Sequence, residues 1–200
     1  RVEIYKKLKN LATEYNAPFL FETNVGAGLP VIGTLNDLVK SGDSIHKMQA
    51  VLSGTLNFVF NNYDGSRPFA DVVKQAQEEG YTEPDPRLDL GGKDVMRKIM
   101  ILARETGRQI EMDDISNNSF MPEECMQGTV EDFYASMKKH EAHFKKILDE
   151  ADAVGCKLKF VASYDGEKAA VGLQHINPQP TLPNTSLPDV DCYRNHDDHH

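Results

Sequence analysis

The stretch GYTEPDPRLDLGGKDVMRKIMILARETGR, Gly80 to Arg108, limits what this chain can fold into more than any other part of it. Pro84 and Pro86 fix φ in an acidic loop, and the apolar period from Val95 predicts a helix from about Gly92 to Thr106. That helix should bury Val95, Ile99, Leu102 and Ala103 and leave Arg97, Arg104 and Glu105 in solvent. Asp94 and Lys98 are four residues apart, so a helix stacks them on one face, where the carboxylate can orient the ammonium. Glu83 and Asp89 precede the helix closely enough to approach the same point and hold a second positive charge, such as an amino group. Taken alone, the D-x-x-x-K spacing fits a solvated ion pair with an acidic cap on the helix dipole better than it fits a site.

The other elements follow from period and punctuation. Arg1 to Tyr15 has helical spacing with Val2, Tyr5, Leu8, Leu11 and Ala12 on one stripe, and Ala17 to Glu22 reads as a short buried strand. A helix followed by a buried strand looks like the last αβ unit of a doubly wound sheet. GAGLPVIG, Gly26 to Gly33, is not the dinucleotide fingerprint, because Val31 stands where the third glycine belongs. It reads as a glycine-permitted turn before a helix from Leu29 to Val39, with carbonyls that could join Glu22 in a hard-oxygen site for a monovalent cation; a turn without an ion is the alternative.

Ile45 to Leu52 is expected as a strand, followed by a helix capped by Ser53-Gly54-Thr55, and Pro68 to Glu79 as an amphipathic helix closed by Gly80. Asp113 to Met121 reads as a loop or short strand and Thr129 to Val154 as one long helix. His140 and His143 lie one turn apart there, a metal-ligand spacing that lacks an evident third ligand. Lys157 to Tyr164 and Ala169 to Ile176 form a hairpin around Asp165-Gly166. The fold class expected is α+β: a mixed or antiparallel sheet with helices packed on one face, preceded by the αβ remnant. From Pro178 the chain turns proline-rich and aperiodic, and residues 180–200 are expected to be irregular.

A net charge of −9 argues against nucleic acid, which needs clustered Lys and Arg, and no apolar run is long enough to span a membrane. The three cysteines, Cys125, Cys156 and Cys192, fit neither a disulfide framework nor a zinc site. A soluble protein of the cytoplasm is expected.

FETNVGAGLPVI (Phe21 to Ile32), LSGTLNFVF (Leu52 to Phe60) and GYTEPDPRLDLGGKDVMRK (Gly80 to Lys98) together resemble the substrate domain of the homoserine dehydrogenase family. ILARETGRQIEMDDI further resembles the form fused to aspartokinase, and the likeness runs from about Tyr5 to Gln179. It implies an interconversion of L-homoserine and L-aspartate 4-semialdehyde that uses NAD or NADP, on the route to threonine and methionine. It implies that Lys98 exchanges the hydroxyl proton, that Asp94 orients Lys98, and that Glu83 and Asp89 bind the substrate ammonium. Gly54, Thr55 and Tyr81 would shape the pocket, Gly80 and Glu83 would lie beside the cofactor, and Glu22, Val25, Ala27 and Leu29 would hold a sodium ion.

The resemblance divides the chain into residues 1–22, the end of a nucleotide-binding domain, and 23–179, a substrate and dimerisation domain that pairs through its sheet. The chain begins at Arg1 and has no Gly-rich turn, so alone it is expected to be inactive. A non-catalytic dimerisation scaffold is the alternative, and a Ca²⁺ or Mg²⁺ hydrolase built on Glu83, Asp85 and Asp89 a further one.

Overall fold

The computed structural model describes residues 1–178 and the pair Val190–Asp191. In chain order the helices and strands are α1 (Val2–Glu14), α2 (Thr23–Gly26), α3 (Val31–Lys40), β1 (Met48–Ala50), α4 (Gly54–Asn62), α5 (Phe69–Glu78), α6 (Arg87–Leu90) and α7 (Lys93–Glu105). They continue with β2 (Ile115–Asn118), α8 (Val130–Lys139), α9 (Glu141–Ala153), β3 (Lys157–Tyr164), β4 (Ala169–Ile176) and β5 (Val190–Asp191). The strand order is β2-β4-β3-β1-β5, with β2 parallel to β4 and the other pairs antiparallel.

The β3–β4 hairpin is the spine of the sheet, in register from Lys157 opposite Ile176 to Tyr164 opposite Ala169. The period of two sends Leu158, Phe160, Ala162 and Tyr164 to the helical side, where all four are buried. Phe69 stacks on Phe144 with centroids 4.2 Å apart, and Phe120 meets Phe60, Phe69 and Phe160 edge-on, so α4, α5, α9 and the sheet share one aromatic core. The expected mixed sheet with helices on one face is therefore present. No helix among the described residues is long and apolar enough to cross a membrane.

Four expectations are corrected. Ala17 to Glu22 forms no strand: among the described residues no other strand lies beside it to take its hydrogen bonds, and Phe19 and Leu20 are exposed. β1 covers only Met48–Ala50, because its partner β3 ends at Tyr164 opposite Met48 and turns away, leaving residues 45–47 without a ladder. The long helix expected over Thr129 to Val154 is two, broken at His140 (φ −98°, ψ 17°). Its histidines serve the fold: His140 bonds the Ser136 carbonyl through Nδ1 at 2.9 Å and faces Glu124, and His143 bonds the Phe120 carbonyl at 2.8 Å. Arg104 and Glu105 are buried rather than solvated. Of residues 180–200, Val190–Asp191 pairs with β1; the remainder, with Cys192, lies outside the described residues.

Candidate active site

Gly92 starts α7 in the left-handed region at φ 72°, and a Cβ there would stand 2.9 Å from the Phe160 ring, so the position needs glycine for both conformation and space. The helix that follows carries Asp94 in its first turn, where a carboxylate favours the helix dipole, and Lys98 one turn on. Lys98 Nζ lies 2.8 Å from Asp94 Oδ2 and donates to the Leu52 carbonyl at 2.8 Å. The lysine side chain is 22% exposed and the aspartate 55%. Two of the three ammonium protons are thereby held, and among the described residues no further acceptor meets the third.

Leu52 owes its position to the turn from β1 into α4, where Ser53 Oγ accepts from the Leu56 N–H at 3.1 Å and caps the helix. Thr55, one step further on, is buried and serves the acidic loop: its hydroxyl lies 2.6 Å from the Tyr81 carbonyl and 3.0 Å from Asp89 Oδ1. Asp89 Oδ2 accepts the Glu83 N–H at 2.9 Å. The Tyr81 ring stacks on Phe58 of α4 with centroids 4.4 Å apart, and beyond it Gly80 has no atom within 4 Å of where a Cβ would stand. The four residues Leu52 to Thr55 thus tie the Lys98–Asp94 pair on one side to the Tyr81–Glu83–Asp89 loop on the other.

The geometry separates the expected residues into two groups. Lys98 and Asp94 are joined directly, and Thr55, Tyr81, Glu83 and Asp89 are joined through one network with Gly54 at its helical end. The Glu83 carboxylate is exposed and not paired with Lys98, so backbone hydrogen bonds place it rather than charge. Asp85 is turned away: Arg87 grips it through Nε and Nη2 at 2.9 and 2.7 Å, holding its carboxyl below the ordinary range, and Arg87 also reaches the Gly128 carbonyl. Among the described residues no three His, Cys, Asp or Glu are grouped so as to hold a metal.

Glu22 lies at the start of α2, and its two oxygens accept the N–H groups of Ile32 and Gly33 at 2.6 and 2.7 Å, capping α3, which lacks a cap from Pro30. Val25 is buried inside the turn and Ala27 has positive φ (50°), while the Leu29 carbonyl already accepts from Val31. Sequence reasoning missed two participants. The Leu52 carbonyl is a backbone acceptor with no residue-type signal; Phe58, one turn after Thr55 in LSGTLNFVF, could have been found from its i+3 spacing.

Residues 30–190 match the family profile described as homoserine dehydrogenase. A bifunctional aspartokinase/homoserine dehydrogenase 2 of Escherichia coli is 40% identical over 179 residues, 89% of this chain and 22% of that protein. Its chloroplastic namesake in Zea mays is 40% identical over 162 residues, 80% of this chain and 18% of that one. The chain thus spans about a fifth of the length of these curated relatives. A hyperthermophilic archaeal homoserine dehydrogenase in complex with NADPH superposes with a TM-score of 0.62 at 22% identity, covering 91% of this chain and 47% of the other, a likeness of fold. A profile match over most of the chain, supported by relatives at 40% identity, means that the chain belongs to the homoserine dehydrogenase family.

Proposed function

We propose that this chain is the substrate side of a dehydrogenase that interconverts L-homoserine and L-aspartate 4-semialdehyde with NAD or NADP, on the route to threonine and methionine. The observation that supports it best is the joining of Lys98–Asp94 and Glu83–Asp89 through one helix start, Leu52 to Thr55. A hydroxyl to be oxidised must lose a proton, and an alkoxide formed in reverse must gain one. Lys98 is the group that exchanges that proton, and Asp94 keeps its Nζ aimed. Glu83 takes the substrate ammonium, Asp89 fixes the loop beneath it, and Gly54, Thr55 and Tyr81 shape the wall. The nicotinamide supplies or accepts the hydride when bound. The open surface at Gly80, next to Glu83, is where its ring would lie against this chain.

The domain division follows from the same reading. Residues 1–22 close the nucleotide-binding side, residues 23–179 form the substrate and dimerisation domain, and residues 180–200 form a separate tail. The oxygen-rich turn of Glu22, Val25, Ala27 and Leu29 suits a sodium ion by donor chemistry, the Glu22 carboxylate oxygens and the Leu29 carbonyl each accepting one N–H while keeping a lone pair. The antiparallel strands β1, β3 and β4 belong to the sheet through which two copies pair, continued across a two-fold axis.

The test is oxidation of L-homoserine by this domain joined to a nicotinamide-binding domain. NADP- or NAD-linked turnover is expected. Its absence, with both domains folded and the cofactor bound, would reject the reading.

A further inference from the structure

Glu105, the last residue of α7, has a side chain with no exposed surface. A carboxylate in that position costs free energy unless it is partnered, and both of its oxygens are met from one element, α1: the Tyr5 hydroxyl donates to Oε1, and Lys9 Nζ lies 2.7 Å from Oε2. Tyr5 and Lys9 are one helical turn apart, so α1 grips the carboxylate with a single face. The neighbouring Arg104 is turned to Glu111 at 2.9 Å and places its guanidinium over the Tyr5 ring, and Lys9 also lies over the ring of Phe21. Glu111 in turn accepts the Val2 N–H at 2.6 Å and lies 4.0 Å from the Arg1 ammonium, so Tyr5, Lys9, Arg104, Glu111 and that ammonium are the titratable and charged groups at this contact.

α1 needs such an anchor. It has no buried residue, and Ile4, Leu8, Leu11 and Tyr15 lie exposed beside the Tyr5–Lys9 face. A lone helix of this length is marginal in water, so its persistence depends on what it docks against.

We propose that Glu105 is the latch that holds α1 on α7 and so acts as a positioning residue for the reaction. The second part rests on the reading that residues 1–22 close the nucleotide-binding side. Lys98 sits two turns before Glu105 on the same helix, roughly 10 Å along its axis. The latch therefore fixes the nucleotide-side helix directly relative to the element that carries the proton-exchanging group. Burial also lifts the Glu105 carboxyl from its ordinary 4.5 to about 7. The Glu105 carboxyl takes up a proton on docking, which Oε1 donates to the Tyr5 hydroxyl oxygen while Oε2 still accepts from Lys9, and gives it up on undocking, so the latch is tightest in acid and loosens as pH rises toward and through neutrality.

Hydrogen exchange of α1 in this chain, corrected for the intrinsic pH dependence of exchange, tests the proposal without cofactor or substrate. Failure here would leave the dehydrogenase reading intact, and failure of that reading would leave this contact intact. In the native chain, protection of Val2–Glu14 is expected to fall by about tenfold or more between about pH 5 and pH 8. Glu105→Gln, a permanently neutral isostere, should keep α1 protected with that pH dependence gone. Glu105→Ala should lose protection in α1 while leaving Phe69–Glu78 unchanged. Should Glu105→Ala not fold, the glutamine variant decides. A native-like pH profile in Glu105→Gln, or native α1 protection in Glu105→Ala, would overturn the proposal.

Discussion

α1 and α7 are both amphipathic helices of the same length, and they end in opposite situations. α7 sinks its apolar face completely, with Val95, Ile99, Leu102 and Ala103 at 2% exposure or less. α1 leaves Ile4, Leu8, Leu11 and Tyr15 open and is held to the rest of the chain by polar contacts, Tyr5 and Lys9 on Glu105 and the Val2 N–H on Glu111. An amphipathic period states that a face will be covered. It does not state which layer covers it. For α7 that layer is the sheet. α1 presents its apolar side to no described layer, which is the pattern expected of an element belonging to a neighbouring unit.

Stability measurements can break or sharpen this contrast. Phe69→Ala, at the centre of the aromatic core, should cost about 3–5 kcal/mol in denaturant unfolding, the largest effect expected. Leu102→Ala on α7 should cost about 2–5 kcal/mol. Gly92→Val should cost about 2 kcal/mol or more, since it adds a strained positive φ to a contact with Phe160. Leu8→Ser on α1 should fall within about 0.5 kcal/mol of the native chain. If Leu8→Ser cost as much as Leu102→Ala, α1 would be part of the core and the contrast would be lost.

The dependence on pH sharpens the comparison. Because the folded state holds the Glu105 proton to about pH 7 and the unfolded chain only to its ordinary 4.5, this group's contribution is fully present below 4.5 and is lost as pH rises through about 7. The slope of unfolding free energy against pH over that window should lose roughly one proton in Glu105→Gln.

What the sequence revealed depended on whether the signal was local. The β3–β4 hairpin, α5 with its closing Gly80 and the body of α7 were legible, because period and turn residues agree within each segment. The break at His140 was hidden: it has neither glycine nor proline, and Phe133, Met137, Phe144, Leu148 and Ala151 keep helical spacing across it. Glu105 was misread for the opposite reason. A glutamate opposite an apolar stripe looks solvated until a second helix, about a hundred residues away in sequence, covers it. At the candidate site, motif and spacing pointed to Lys98, Asp94, Glu83 and Asp89, which the fold brings into two neighbouring groups. The Leu52 carbonyl and the indirect role of Thr55 emerged only in three dimensions.

The central claim is that Lys98 exchanges a proton with the substrate hydroxyl, and Lys98→Ala in the protein that joins this domain to a nicotinamide-binding domain tests it most directly. L-homoserine oxidation should fall by about 10²–10⁴-fold in kcat, with unfolding and sedimentation unchanged. Turnover within a few-fold of the native protein would reduce Lys98 to a structural charge on α7 and contradict the account.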